Sequence, residues 1–233
     1  MSGNLRVKIW GEQACFTRPE TKVERVSYPC MTPSAARNIL DSICWRPEMR
    51  WVISSITLLK PIRYISILRN EVQSKITPST VKKWIADPIQ YEPLAAGAGT
   101  ATEGTPRNSL VLRDVAYIVE AFPIVFNTAG DNTTAKYVSM LQRRVEKGQC
   151  FHRPALGCRE FAAHFAPPSK EDVPYPISAH FGRMLYDVVF RPEGNSAAFF
   201  DATVRDGVMD TRPDVVLEDE ARRKEVLRCS YKH

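Results

Sequence analysis

Residues 10–37 read WGEQACFTRPETKVERVSYPCMTPSAAR, and this stretch decides how the chain begins to fold. It reads as the end of a strand, a basic loop punctuated by proline, and the start of a capped helix. The loop between Ala14 and Thr32 is 17 residues long, too long for a passive connection inside a compact domain. It carries Arg18, Lys22 and Arg25 beside Phe16 and Tyr28. Cations interleaved with aromatic rings suit a phosphate backbone and unstacked bases better than a buried core. Before it, Leu5, Val7 and Ile9 alternate with Arg6 and Lys8, the period of a half-buried strand with a basic outer face. After it, Thr32 can cap a helix, and Pro33 takes the first helical position, where its missing N–H costs nothing. Ala36, Ile39, Leu40 and Ile43 form the helix's apolar stripe, and Pro47 stops it.

Further along, Trp51–Leu59 reads as a second strand, and Pro61–Val72 as an extended hairpin arm with Arg63 and Arg69 exposed. Residues 74–108 hold Pro78, Pro88, Pro93, Pro106 and the small-residue run AAGAGTATEGT, which predicts a mobile insertion with one helical turn around Val81–Ala86. Arg113–Phe126 is a long strand with Val115, Tyr117, Val119 and Ala121 alternating. Thr133–Lys147 is a second helix, with Val138, Leu141 and Val145 on one face and Lys136, Arg143 and Lys147 nearly opposite. That basic face suits either plain solvation or ligand binding. Ala179–Arg191 and Asn195–Arg205 read as antiparallel strands joined by the turn RPEGN, and the tail EDEARRKEVLR as a short helix. In the tail, Glu218–Arg222, Asp219–Arg223 and Glu220–Lys224 are spaced as i,i+4 ion pairs.

This order predicts an α+β fold. A split βαβ, ferredoxin-like core would occupy residues 1–166, with the mobile insertion at about 74–108. Residues 167–233 would form a C-terminal antiparallel β appendage, a small sheet of its own with a short terminal helix.

The chain has 233 residues and a net charge of +6, with 44% hydrophobic and 25% charged residues, an ordinary globular composition. Residues 1–75 hold 12 Lys and Arg against 6 Asp and Glu, so they carry the whole excess. Residues 136–159 hold 6 basic side chains against 1 acidic, whereas residues 200–233 are balanced at 7 against 8. A localised positive field favours nucleic acid or an anionic surface. No run of 18 apolar residues occurs, and MSGNLRVKIWGE lacks a signal-peptide core, so no membrane contact and a cytoplasmic location are expected. Cys15, Cys30, Cys44, Cys150, Cys158 and Cys229 form no CxxC pair, which fits a reducing compartment and no structural zinc.

The chemistry on offer is narrow. No phosphate-binding GxxxxGK[ST] loop, GxSxG elbow or HExxH pair occurs. His152, His164, His180 and His233 are widely spaced, and the acids do not cluster as a metal site. Neither a metal nor a cofactor is expected. RNA cleavage without a metal asks for less, because the 2′-OH of the RNA is the nucleophile. The protein must align that oxygen with the phosphorus and stabilise the extra charge. A lysine at a helix start can do the second, helped by the helix dipole. Lys136 holds that position, and Tyr137 beside it could hydrogen-bond a phosphate oxygen or stack on a base.

Several blocks carry a family resemblance: KIWGEQACFTRP at 8–19, KVERVSYPCMTPSAARNIL at 22–40, CWRPEMRWVI at 44–53, RNEV at 69–72, AKYVSMLQRRVEKGQ at 135–149 and LGCREF at 156–161. In these blocks and their order, nearly the whole chain resembles the CRISPR-associated RAMP-superfamily endoribonuclease of the type I-C system, the fifth Cas family, subtype d (also called c). The resemblance implies a ferredoxin-like core and a β-rich appendage. It implies a protein that recognises the repeat hairpin of precursor CRISPR RNA and cuts at its 3′ base. Cleavage would need no metal and leave a 2′,3′-cyclic phosphate. The protein would then stay bound to the guide within the interference complex, among that complex's other subunits. The RNA contacts would be Arg18, Lys22, Arg25, Tyr28, Arg69, Arg143, Lys147 and Arg159.

The family's catalytic pattern is a Tyr just before Trp-Lys-Pro and a Lys-His pair at the start of the second helix. Here Cys44 precedes Trp45-Arg46-Pro47, and Tyr137 follows Lys136, so only Lys136 matches. A tyrosine is a poorer general base than histidine at neutral pH. The expected catalytic set is therefore Lys136 and Tyr137, with Cys44 at the position of the family tyrosine. The alternative is a non-catalytic subunit that binds the guide RNA, with duplex DNA as a further partner for the same basic surface.

Overall fold

The computed structural model describes residues 5–21, 23–72, 75–91, 104–126, 132–190 and 194–228. Strand β1 spans Leu5–Ala14, and helix α1 spans Pro33–Ile43. Strands β2 and β3 span Met49–Leu58 and Tyr64–Val72. Helix α2 covers Pro78–Ala86, strand β4 covers Gly104–Val125 and helix α3 covers Thr134–Glu146. Then come β5 at His164–Ala166, β6 at Ala179–Val189, β7 at Ser196–Arg205 and β8 at Val208–Asp210. Helices α4 at Pro213–Val216 and α5 at Glu220–Leu227 follow.

All these strands join one antiparallel sheet in the order β5-β1-β4-β2-β8-β7-β6, with β3 also paired to β4. The 22-residue strand β4 organises it. One edge pairs with β1, from Leu5 opposite Ala121 to Ala14 opposite Leu112. Along β4, β2 pairs from Val125 to Tyr117 and β3 continues from Leu112 to Gly104. The ribbon breaks between them, where Asp114 takes a positive φ of 53° and pairs with Lys60.

Helices α1 and α3 contact each other and lie on the sheet, α1 over β2 and β6, α3 over β4, β1 and β5. Thr32 Oγ1 caps α1 by accepting from the Ala35 N–H at 3.1 Å. The stripe Ala36, Ile39, Leu40 and Ile43 is fully buried, as its spacing requires. The core around it runs from Val7 and Ile9 through Trp51, Ile56 and Val119 to Met184, Phe200, Val204 and Met209. Inside this interior lies a charged cluster. The Asp187 carboxylate accepts from Arg37 at 2.8 and 3.2 Å and from Arg50, while Arg37 also reaches Asp41 at 3.0 Å. Two guanidinium groups and two carboxylates thus tie α1, β2 and β6 together.

Several expectations change. The strands after residue 167 do not form a sheet of their own, because β8 pairs with β2 through Ser55–Asp210, Ile56–Met209 and Thr57–Val208. Residues 104–108 belong to β4 rather than to a loop, and the helical turn is a nine-residue helix capped by Thr77. The 17-residue loop is not an open aromatic surface: Phe16 and Tyr28 are buried, and the loop is locked to β4 by the Ser27 N–H donating to the Leu110 carbonyl at 2.9 Å and the Leu110 N–H donating to the Arg25 carbonyl at 2.8 Å. The basic outer face of β1 is neutralised, Arg6 by Glu120 and Lys8 by Asp172. In the tail only Glu220–Lys224 forms as an ion pair of the expected three; Asp219 caps α5, Arg222 turns to Glu225 and Arg223 donates to the Leu217 carbonyl. Lys22, residues 74 and 92–103 of the insertion, residues 191–193 of the turn, Cys229 and His233 lie outside the described residues.

Candidate nucleic-acid interface

The start of α3 assembles the first group of polar side chains. Thr133 caps the helix through the Lys136 N–H at 3.2 Å. Immediately before it, Asn132 Oδ1 accepts two hydrogen bonds, from Lys136 Nζ at 3.2 Å and from the Tyr137 hydroxyl at 2.8 Å. The ammonium also sits 5.7 Å from the centroid of the Tyr137 ring. Lys136 is exposed, whereas Tyr137 is only 1% exposed. Burial, and then the Glu48 carboxylate, raise the phenol above its ordinary value. At neutral pH it is therefore a hydrogen-bond donor and not a base. Its buried ring offers no free face for a base to stack on.

Cys44 lies at the C-terminal end of α1 and is fully buried. Its carbonyl accepts from the Trp51 indole N–H at 2.7 Å. Burial raises the thiol above its ordinary value, against the opposing pull of Arg144, Arg46 and Arg143. The same neighbourhood thus holds Cys44, Tyr137, Arg46 and Glu48, each acting on another's charge. Arg144 donates to the Ile43 carbonyl at 2.5 Å, so one cation of α3 satisfies the open end of α1. Trp45 and Arg46 continue from there onto the surface. The Phe151 and His152 N–H groups both bond the Ser42 carbonyl, at 2.9 and 3.1 Å. That anchors an exposed Phe151 ring edge-on to His152, 4.4 Å between centroids. With Arg143 and Lys147 exposed along α3, the elements bring cations and uncovered aromatic rings to the ends of α1 and α3.

A second group gathers around the loop after β1. The Arg18 guanidinium covers the buried Tyr28 ring at 5.1 Å. Arg25 donates to Cys158 Sγ at 3.0 Å and lies 4.0 Å from Glu71. Arg69 is paired with Glu71 at 3.1 Å and with Glu160. Arg159 is exposed. Arg25 and Arg69 thus already have acceptors of their own. Asn132, Phe151 and His152 were not singled out for this site by sequence. An Asn before a capping Thr looks like ordinary helix-start chemistry, and only the fold shows that its oxygen serves two donors. Among the described residues no group of three or more His, Cys, Asp or Glu side chains is placed to hold a metal ion, and no helix is long and apolar enough to cross a membrane.

Comparison with known proteins adds a family. The model of a family described as CRISPR-associated protein (Cas_Cas5), Cas5d, matches residues 4–226. A CRISPR pre-crRNA endoribonuclease Cas5d from Mannheimia succiniciproducens is 44% identical over 227 residues, covering 91% of this chain and 96% of the relative. The protein of the same name from Thermus thermophilus is 41% identical over 194 residues, covering 81% and 77%. A crystal structure of a CRISPR-associated protein superposes with a TM-score of 0.62 at 20% identity over 89% of this chain and 91% of that one. A functionally uncharacterised protein from Streptococcus mutans gives 0.63 at 19% identity over 94% and 95%. At those identities the two structures speak for the fold alone.

Proposed function

The chain belongs to the Cas5d family of CRISPR-associated proteins, and from that membership we propose that it cleaves precursor CRISPR RNA at the 3′ base of the repeat hairpin. The observation that carries the chemistry is the exposed Lys136 ammonium, held by Asn132 at the N-terminus of α3. In this reading the RNA 2′-oxygen attacks the adjacent phosphorus. The O2′–P bond forms as water takes the 2′-OH proton, the P–O5′ bond breaks as water protonates the leaving oxygen, and the products carry a 2′,3′-cyclic phosphate and a 5′-hydroxyl. Lys136 and the α3 dipole stabilise the charge on the phosphorane. Tyr137 positions Lys136 through their shared acceptor, and Cys44 packs as a neutral thiol rather than reacting. Arg143 and Lys147 hold backbone phosphates, with Arg18 and Arg159 as outlying contacts. We read the reaction as metal-independent, with Lys136 supplying the charge stabilisation that a metal ion would otherwise give. The strand order β5-β1-β4-β2 with α1 and α3 on one face supports reading the core as ferredoxin-like. The protein then keeps the cut guide bound among the other subunits of the interference complex.

Repeat RNA incubated with the protein in EDTA should be cut once, and a 2′-deoxy substitution at the scissile nucleotide should abolish cutting without weakening binding. Lys136→Ala should lower the single-turnover rate by about 100-fold or more with little change in RNA affinity. No cleavage of the all-ribose RNA would overturn the reading. A specific observation favours a second reading, in which the protein binds the guide without cutting: Tyr137 is buried and neither Tyr137 nor Cys44 is set up as a base. Tight binding of RNA that stays intact would select it. Duplex DNA is a further partner in that reading, and loss of DNA binding between low and physiological salt would reduce it to non-specific attraction.

A further inference from the structure

Two cysteines meet at a place the proposed RNA chemistry does not use. The Cys15 N–H donates to the Leu156 carbonyl at 3.0 Å. Gly157 follows with φ of +87°, and a Cβ there would overlap the Cys15 carbonyl, so only glycine lets the turn lie flat on residue 15. That turn delivers Cys158. Its sulfur lies 3.8 Å from the Cys15 carbonyl oxygen. Thr17 Oγ1 bridges the pair, 3.5 Å from Cys15 Sγ and 3.8 Å from Cys158 Sγ. From the other side the Arg25 guanidinium donates to Cys158 Sγ at 3.0 Å. Cys15 is 1% exposed, while Cys158 is the partly exposed residue of the two.

We propose that Cys158 is a peroxide-reactive thiolate and Cys15 its resolving partner, so that oxidation closes a Cys15–Cys158 disulfide within the chain. The thiolate attacks one oxygen of a hydroperoxide. The S–O bond forms, the O–O bond breaks, and the departing alkoxide or hydroxide takes a proton from water. Sulfur loses two electrons and the peroxide gains them, leaving Cys158 as a sulfenic acid. The Cys15 sulfur then attacks Cys158, the S–S bond forms and the S–O bond breaks. The leaving hydroxide departs as water with the proton that Cys15 gives up.

The surroundings suit these roles. Hydrogen bonds from the Cys15 thiol, then from Arg25 and Thr17, bring the Cys158 thiol down to about 6, against burial and the nearby Glu160. The contact with Cys158 and burial push Cys15 up, so it waits as a thiol. Neutral pH therefore places the charge on the Cys158 sulfur. Cys30 and Cys44 are fully buried, and the exposed Cys150 has no such cation among its described contacts. Closing the disulfide removes the anion that Arg25 faces and leaves its guanidinium with Glu71 and Glu160.

The test uses the full chain with Cys150→Ser and Cys229→Ser, exposed to one equivalent of hydrogen peroxide at pH 7. Peptide mass spectrometry should find a Cys15–Cys158 link that dithiothreitol reverses. With Cys15→Ser added, dimedone should label Cys158 as a persistent sulfenic acid. Arg25→Gln should slow oxidation about tenfold or more at pH 7 and recover rate at pH 9, with Arg25→Lys in between. Circular dichroism establishes that each variant is folded. Failure to form the link, rates indifferent to Arg25, or faster oxidation of Cys150 than of Cys158 in the unsubstituted chain would each overturn the proposal.

Discussion

Asn132 has a single side-chain oxygen and gives it to both Lys136 and Tyr137. Its loss frees the ammonium without removing it. Asn132→Ala should lower the single-turnover cleavage rate about tenfold while repeat-RNA affinity, measured by filter binding, stays within about twofold. Asp187 plays the comparable part in the interior, where its carboxylate is shared by Arg37 and Arg50. Asp187→Ala should cost about 3–5 kcal/mol in denaturant unfolding, because two buried guanidinium groups lose their common acceptor. Asp210 gives a pH signature. Hydrogen bonds from Arg212, at 2.6 Å for the shortest, hold its carboxyl below the usual range. A folded-state value below the unfolded one adds stability above about pH 4 that is lost as pH falls through the lower value. Asp210→Asn should flatten that portion of the acid limb when unfolding free energy is followed from neutral to acid.

At the scale of elements, α3 divides its work between faces. Leu141 and Val145 are buried, while Arg143 and Lys147 stay exposed. Replacing both cations by Gln should weaken binding of cognate and unrelated RNA alike and reduce the slope of log K against log salt by about 1–2. This helix was legible because its apolar and basic residues repeat at helical period. So was α1, whose cap, first-turn proline and stripe all point one way. The full length of β4 was not. Its arm, residues 104–112, pairs with β3 and turns Thr105, Arg107, Ser109 and Val111 to the more buried face, but three of those four residues are polar, so the alternation leaves no apolar period in the sequence. The three-residue strands β5 and β8 are set by their partners and leave no periodic trace. The candidate site was legible at Lys136 and not at Asn132, whose role depends on a shared acceptor. Tyr28 misled because an aromatic ring beside cations looks the same in sequence whether it faces water or, as here, packs inward under Arg18.

For the whole molecule, the sheet is continuous past residue 167, and one core takes side chains from both sides of that point. The seam is β8, where buried Met209 stands opposite Ile56 on one side and Val204 on the other. Met209→Ala should cost about 2–4 kcal/mol and lower a single transition, followed by far-ultraviolet circular dichroism and tryptophan fluorescence together, instead of splitting it in two. The long strand β4 joins core and arm differently, because Leu112 stands opposite both Ala14 and Tyr64. Side chains along a strand alternate in phase, and the core end of β4 is clamped by neighbours on both edges. Removing one residue between Thr105 and Ser109 therefore leaves the core facing as it was and exchanges the two faces of the arm, whereas removing two restores them. The reach of the arm is quantised in pairs of residues.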